Sequence, residues 1–310
     1  MGLVGLWIWR YALESVGILN ARTGRRVYEG ALVRIGSGFG CLHPWPELGD
    51  PTLDACLDDL RGDRVSMIVQ RTLACVAADG LAREEGRSLF QGLKVPPSHA
   101  TLPLFDDEAV EEAVGRGFSH VKVKCGRDLP TELAEVRRFM GRWPELRWRL
   151  DFNEKGDAGE LIRIFENWSV EEKKAIDFLE DPVPYRGGEW PEVREGTGLA
   201  MANDRDVEND RGDSEVLVVK PAVNRMPDYS GRVVVTSYLD HPVGQRFAAF
   251  EAARAGVKEI SGLQTHGVFK KTTFSEELGP VRPDFQVPKG PGLGFGDLLE
   301  DLPWIAVPLR

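Results

Sequence analysis

Histidine and cysteine are scarce in this chain of 310 residues, which has five of the first and four of the second. Cys41, Cys56, Cys75 and Cys125 form no C-x-x-C pair, and none stands beside a histidine at zinc-site spacing. Dithiol redox motifs and structural zinc sites are therefore excluded, and reduced thiols are expected. His43, His99, His120, His241 and His266 make no H-E-x-x-H pair, and no serine sits in a G-x-S-x-G elbow. Long apolar runs are missing too, so no membrane span is expected. The apolar opening MGLVGLWIWRYAL is short, lacks a basic start and is broken by Arg10, which argues against a secretory leader. Leu6 breaks a myristoylation pattern. Positive charge is in deficit: the net charge is -10 and the pI about 5.2, which argues against nucleic acid or an anionic membrane as the main partner. A small anionic substrate stays admissible if lysines and a metal make one site locally positive. A cytoplasmic location without an obligate protein partner is the expectation.

What is present is a change of rhythm near Pro96-Pro97. Before it, residues 3–12 and 26–36 read as strands around a turn at NARTG. GFGCLHPWPELGDP reads as a Gly/Pro loop, and 51–62 and 65–80 carry helical apolar spacing. After it, strand candidates recur at 100–104, 120–124, 147–151, 176–180, 199–203, 216–220, 232–237 and 258–263. Helical stretches such as DDEAVEEAVGRG and PTELAEVRRFMGRW lie between most of them. Such alternation predicts a parallel sheet with helices outside, and eight strands predict a barrel. The segment from Asp204 to Val216 is short and charged, so its crossover helix is expected to be reduced. The glycines at 290, 292, 294 and 296 lie too late in the chain to open a nucleotide-binding βαβ unit and read as tight turns. The expected division is an α+β capping domain over 1–96, joined by 288–310, and a catalytic barrel over 97–287. The eight tryptophans are scattered and are expected to serve packing.

Several strand-like runs turn charged at their C-terminal ends: VKVKCG with Lys122 and Lys124, WRLDFN with Asp151, IDFLEDP with Glu180, LAMAND with Asp204 and VLVVKPA with Lys220. Active sites of parallel barrels lie at that end of the strands. Lys122 and Lys124 are two apart, so they share a face. Buried ammoniums need counter-charges, which the three acids supply. A structural salt-bridge cluster would explain any one of these charges; all of them on successive strands point instead to a site. Three carboxylates form an all-oxygen donor set suited to Mg2+, with Asp181 and Asp206 as neighbouring acids. Asn153, two after Asp151, is expected to share its face and to orient that ligand. A divalent ion can hold a substrate carboxylate and stabilise the enediolate left when an α-proton departs, and a lysine of depressed pKa can remove the proton.

On KVK, LDFN, FLEDP, AND and VVKP the chain resembles the enolase superfamily, in the lysine–lysine subgroup related to muconate-lactonising enzymes. Sites of that superfamily combine a Lys or His base with Mg2+. EGALVRI…GFGCLHPWPELGDPTLDAC is similar to its capping domain, and GPGLGFGD to its C-terminal glycine signature. Within it the chain looks most like the o-succinylbenzoate synthases. The resemblance implies a (β/α)7β modified TIM barrel with an α+β capping domain. It implies Mg2+ on Asp151, Glu180 and Asp204, Lys124 as general base and then acid, Lys122 beside the substrate carboxylate, and Lys220 opposite. TSYLDHPVG is similar to the segment that meets the succinyl tail, which nominates Thr236, Ser237 and Tyr238. The implied reaction is syn dehydration of a succinyl-hydroxycyclohexadiene carboxylate in menaquinone biosynthesis. The alternative on the same site is N-succinylamino acid racemisation. Dipeptide epimerisation is disfavoured because ISGLQTHG lacks the D-x-D of those enzymes. A barrel that has lost catalysis and only binds is the alternative from another class. Arg205 departs from the pattern, since relatives usually carry an acid there, which leaves Asp206 as a fallback ligand. Tyr238 departs as well, replacing a small residue. His241 reads as a loop residue, and Arg25 and Arg26 as cations near the capping loop.

Overall fold

Residues 5–17, 19, 24–62, 65–102, 106–185, 189–210 and 212–308 are described by this computed structural model. Three antiparallel strands open the chain: β1 (Leu6–Glu14), β2 (Val27–Ile35) and β3 (Gly38–Leu42). Most of the NARTG turn between the first two lies outside the described residues. The expected Gly/Pro loop begins as β3, and its glycines explain why. A Cβ on Gly38 would stand 2.0 Å from the Val76 carbonyl oxygen, and one on Gly40 2.7 Å from that of Thr72. Both carbonyls belong to helix α2 (Met67–Glu84), which follows the short α1 (Leu53–Asp59). The glycines thus let a helix lie directly on a strand rather than marking a break.

Seven parallel strands follow: β4 (Ala100–Leu102), β5 (His120–Lys124), β6 (Arg147–Asp151), β7 (Ile176–Glu180), β8 (Met201–Asn203), β9 (Val216–Val219) and β10 (Arg232–Val235), paired in chain order. The eighth candidate, 258–263, is no strand but supplies two bridges, Ser98 to Ser261 and Thr236 to Gly262. Gly262 N–H donates to Val235 and Ser261 N–H to Pro97, so this segment joins both edges of the curled sheet. Gly262 is pressed between Thr236 and His99, where a Cβ would meet atoms at 2.7 and 2.9 Å. Such crowding limits the segment to bridges.

Helices α3 (Asp107–Gly115), α4 (Leu129–Arg142), α5 (Ala158–Glu166), α6 (Val170–Ala175), α7 (Glu189–Thr197) and α8 (Pro242–Arg254) form the crossovers. Asp106, Asp128, Asp157 and Ser169 cap four of them, each accepting a backbone N–H three residues on. The crossover after β8 shrinks to a single turn at Val207–Asn209, as its charge and brevity predict. The one after β9, residues 220–231, also has no helix, which the alternation did not foretell.

After α9 (Thr273–Leu278) and α10 (Gly296–Glu300), strand β11 (Ile305–Val307) pairs antiparallel with β1, completing the order β11-β1-β2-β3. The glycine turn seats on α2: Leu293 N–H donates to Asp79 at 2.7 Å, and Arg83 donates to the Gly294 carbonyl at 2.7 Å. One apolar cluster joins the antiparallel sheet, the tail and α8; a second fills the space between β4–β8 and their helices. A third, Phe178, Ala202, Val216, Val218 and Val234, holds inward-facing residues of β7–β10. All four cysteines are buried free thiols. Among the described residues no helix is long and apolar enough to cross a membrane.

Candidate active site

Strand alternation decides which charges face the barrel axis. On β5, Val121 and Val123 are buried against the helices, so His120, Lys122 and Lys124 take the other face. In register across the sheet, Lys124 pairs with Asp151 and Asp151 with Glu180, so the charges meet at one level. A cavity of about 260 Å3 opens there, and its walls include Lys122, Lys124, Asp151, Asn153, Asp204 and Lys220. Thr236, Ser237 and Tyr238 line it as well. Glu180 is the exception: it is only 1% exposed and lies beneath Lys122, which donates to it at 2.5 Å.

The two inward lysines of β5 differ. Lys122 bridges Asp151 at 3.0 Å and Glu180. Burial alone would lower its pKa, but Asp151, Glu180 and Asp204 outweigh burial and hold it well above the usual lysine value. Lys124 is open to the cavity, and its ammonium donates to the Leu19 carbonyl at 2.7 Å. Its pKa is lowered, first by enclosure in protein and then by Lys122 and Lys220, against the pull of Asp151. Lys220 pairs with Asp204 and lies 5.9 Å from the Tyr238 ring centre. In the ring of strands, β5 and the end of β9 are separated by β6, β7 and β8, so Lys124 and Lys220 approach the cavity from opposite sides.

The acids are crowded. Burial pushes Glu180 up to about 7, with Asp151 and Asp204 adding to the rise and Lys122 opposing it. Asp151 goes the other way, because the three lysines outweigh its burial. Asn153 donates through its side chain to Asp151 at 2.8 Å and through its backbone at 3.1 Å. It does so from a left-handed turn, φ 50°, beyond the strand end, and not through the shared strand face that the spacing suggested. Asp206 helps close the turn after β8, accepting from Asn209, and does not line the cavity. The donor set fits a hard, oxygen-seeking cation such as Mg2+: three carboxylates end three adjacent strands, and Asp204 Oδ1 is buried without a hydrogen-bond partner. Among the described residues no three acids, histidines or cysteines already form a cage, because the ammoniums of Lys122 and Lys220 hold these oxygens.

Sequence reasoning missed the far wall. Trp45, Leu48 and Asp50 line the cavity from the segment after β3, together with Leu19, His99, Thr101, Arg205 and Thr265. Trp45 therefore does more than pack: its indole N–H donates to the Tyr238 carbonyl at 2.9 Å. The Tyr238 phenol and the Trp45 amide both donate to Asp50, at 2.9 and 2.8 Å. An aromatic between prolines in HPWPELGDP was the available signal. Ser237 is bonded to Thr265, while Thr236 Oγ1 is buried without a partner. Arg25 pairs with Glu47, and Arg26 is exposed. His241 is buried at the start of α8, where it accepts from Val243 N–H as a cap, so it is more than a loop residue.

A curated o-succinylbenzoate synthase from Bdellovibrio bacteriovorus is 32% identical over 324 residues, spanning 97% of this chain and 98% of that protein. This chain belongs to the o-succinylbenzoate synthase family. Members are hydro-lyases. The family profile "O-succinylbenzoate synthase, N-terminal domain" matches residues 6–82, which hold β1–β3, α1 and most of α2. Among solved structures, the L-Ala-D/L-Glu epimerase of Bacillus subtilis shares the fold with a TM-score of 0.79 at 18% identity, over 95% of this chain and 98% of its own. The muconate lactonizing enzyme of Pseudomonas putida does so with a TM-score of 0.76 at 14% identity, over 94% and 96%. A dipeptide epimerase of Enterococcus faecalis, complexed with Mg and a dipeptide, gives 0.75 at 14% identity, over 95% and 99%. This chain thus shares its barrel fold with these three enzymes, the architecture expected from the strand-end motifs.

Proposed function

We propose that the protein is an Mg2+-dependent o-succinylbenzoate synthase acting in the cytoplasm in menaquinone biosynthesis. Its reaction is the syn dehydration of a succinyl-hydroxycyclohexadiene carboxylate. The observation that carries this reading is the pair Lys124 and Lys220 on opposite sides of one cavity, beside three strand-end carboxylates. Asp151, Glu180 and Asp204 would hold the metal, and a divalent ion there would supply positive charge for the substrate carboxylate and for the charge that develops as the α-proton leaves.

Lys124 is the base. A lysine must be neutral to accept a proton, and enclosure beside two other ammoniums moves Lys124 in that direction. The C–H bond breaks toward Lys124, which then carries the proton on the same face of the ring. It returns that proton to the departing hydroxyl, the C–O bond breaks, and water leaves as the ring becomes aromatic. Lys220, paired with Asp204 on the far face, stabilises the developing negative charge. Lys122 stays charged between Asp151 and Glu180 and faces the substrate carboxylate. The division into a capping unit (1–96 with 288–310) and a barrel (97–287) assigns Trp45 and Asp50 to the cap, where they wall the cavity over the seventh strand.

The test is an absorbance assay of the purified protein with the cyclohexadiene substrate, first with Mg2+ and then with EDTA. Metal-dependent loss of the diene band is expected. No turnover with metal, together with racemisation of N-succinylamino acids, would transfer the site to the alternative. Mg2+ binding with neither activity would leave a binding protein.

A further inference from the structure

Arg205 follows Asp204 at the end of β8, where it walls the cavity. Its guanidinium reaches three residues: a terminal nitrogen donates to Asn153 at 3.3 Å, and Nε lies at ion-pair distance from Glu154, 3.4 Å, and Asp181, 3.9 Å, without a hydrogen bond to either. Among the described residues five non-glycine positions have a left-handed backbone. Those three are among them, with φ of 50°, 62° and 43°. Such backbone is uncommon outside glycine and persists only where the surroundings hold it.

The location of these turns gives them meaning. Asn153 and Glu154 form the turn that follows Asp151 and Phe152, and Asp181 directly follows Glu180. The turns are tied in series. Glu154 N–H donates to the Asp181 carbonyl at 2.8 Å, and Asp204 N–H donates to the Asp181 carboxylate at 3.0 Å. Asn153 in turn holds Asp151 through two hydrogen bonds. The Arg205 side chain spans back from the third strand end to the first and second, closing the loop. A planar fork with donors on several edges suits such bridging; a lysine offers a single point charge.

We infer that Arg205 is a positioning residue that holds the left-handed turns after β6 and β7, and through them sets Asp151, Glu180 and Asp204 to receive a divalent cation. The inference rests on the metal reading above. It also runs opposite to simple electrostatics. A positive charge beside carboxylates should weaken cation binding, so its removal should tighten it; a clamp predicts that its removal loosens it.

The experiment is calorimetric titration of Mg2+ into metal-free full-length protein, for wild type, Arg205→Lys and Arg205→Gln. Near-UV circular dichroism checks that tertiary structure is kept. Both variants are expected to bind Mg2+ about 10–100-fold more weakly, with lysine failing to rescue. Wild-type affinity in Arg205→Lys, or tighter binding in Arg205→Gln, overturns the clamp. Adding Glu154→Gly to Arg205→Lys keeps the test open if the fold is disturbed. Glycine adopts that turn without steric cost, so part of the lost affinity should return; no recovery overturns the inference. Absence of Mg2+ binding in wild type would instead overturn the metal reading on which it stands.

Discussion

The barrel holds buried ions at two levels, and they are built from different cations. At the lower level Arg149, only 1% exposed, donates to Asp177 at 2.8 Å and to the Ile260 carbonyl at 2.7 Å, and lies 2.8 Å from His99. Arg232 takes the other Asp177 oxygen at 2.7 Å and binds Glu259 at 2.9 Å. Burial first, then Arg149, keeps His99 uncharged. At the mouth the inward cations on β5 and just after β9 are lysines, and one of them, Lys124, has no carboxylate partner among its hydrogen bonds to the described residues. Arginine stays charged and forks across several acceptors, so it locks strands together. Lysine is compact and can lose its proton when enclosed, so it can do chemistry. The same problem of buried charge is solved for rigidity at one end and left poised at the other.

Removing a mouth lysine should therefore cost rate, and removing a lower-level arginine should cost stability. The largest effect is expected for Lys124→Ala. Its kcat/KM should fall by on the order of 10⁴, the upper end for general acid–base catalysis, with Mg2+ affinity and melting temperature unchanged. Substantial residual dehydration would remove Lys124 as the base. Lys220→Ala should slow dehydration by on the order of 10²-fold, the size of a lost charge-stabilising donor, and should abolish any racemisation. Equal loss with Lys124→Ala would make both lysines proton carriers. Arg149→Met should lower unfolding free energy by about 3 kcal/mol, the low end for breaking a buried pair, since Arg232 still holds Asp177. Denaturant melts check it, and a large kcat change in a folded variant would erase the contrast between the levels.

An effect confined to stability, and to one side of the pH range, belongs to a group serving neither level. Asp240 is buried behind the seventh strand, with Oδ1 unpartnered among the described residues and its pKa pushed by burial from 3.8 to about 7. The folded protein thus keeps this proton where the unfolded chain has released it, so stability falls as pH rises from about 4 to 7. Asp240→Asn should match wild type at pH 4 and exceed it at pH 8 by up to about 4 kcal/mol. Melts that coincide at both pH values would show that the native site already compensates the charge.

The mouth was legible in the sequence because its residues close apolar strands, and β alternation then fixes which face they take. Lys122, Lys124, Asp151, Glu180, Asp204 and Lys220 all converge for that reason. Trp45 and Asp50 were not legible as site residues, and Arg205 was legible only as a departure beside Asp204. They reach the cavity from loops and turns, where no period assigns a face. Asn153 was found for the wrong reason, since a left-handed turn and not the strand brings it to Asp151. The strand at Gly38–Leu42 was hidden because glycine spacing there records contact with α2, which only tertiary packing shows. The eighth strand candidate has the composition of a strand but is confined to bridges by its neighbours.

The contrast rests on Lys124 being tuned to lose its proton. The measurement that addresses it most directly is the pH dependence of kcat/KM for the dehydration at saturating Mg2+. Because the base acts when neutral, the rate is expected to rise with pH and level off, with its midpoint below 10.5, the ordinary lysine value. A profile that stays flat, or that rises only with a midpoint at or above 10.5, would contradict it.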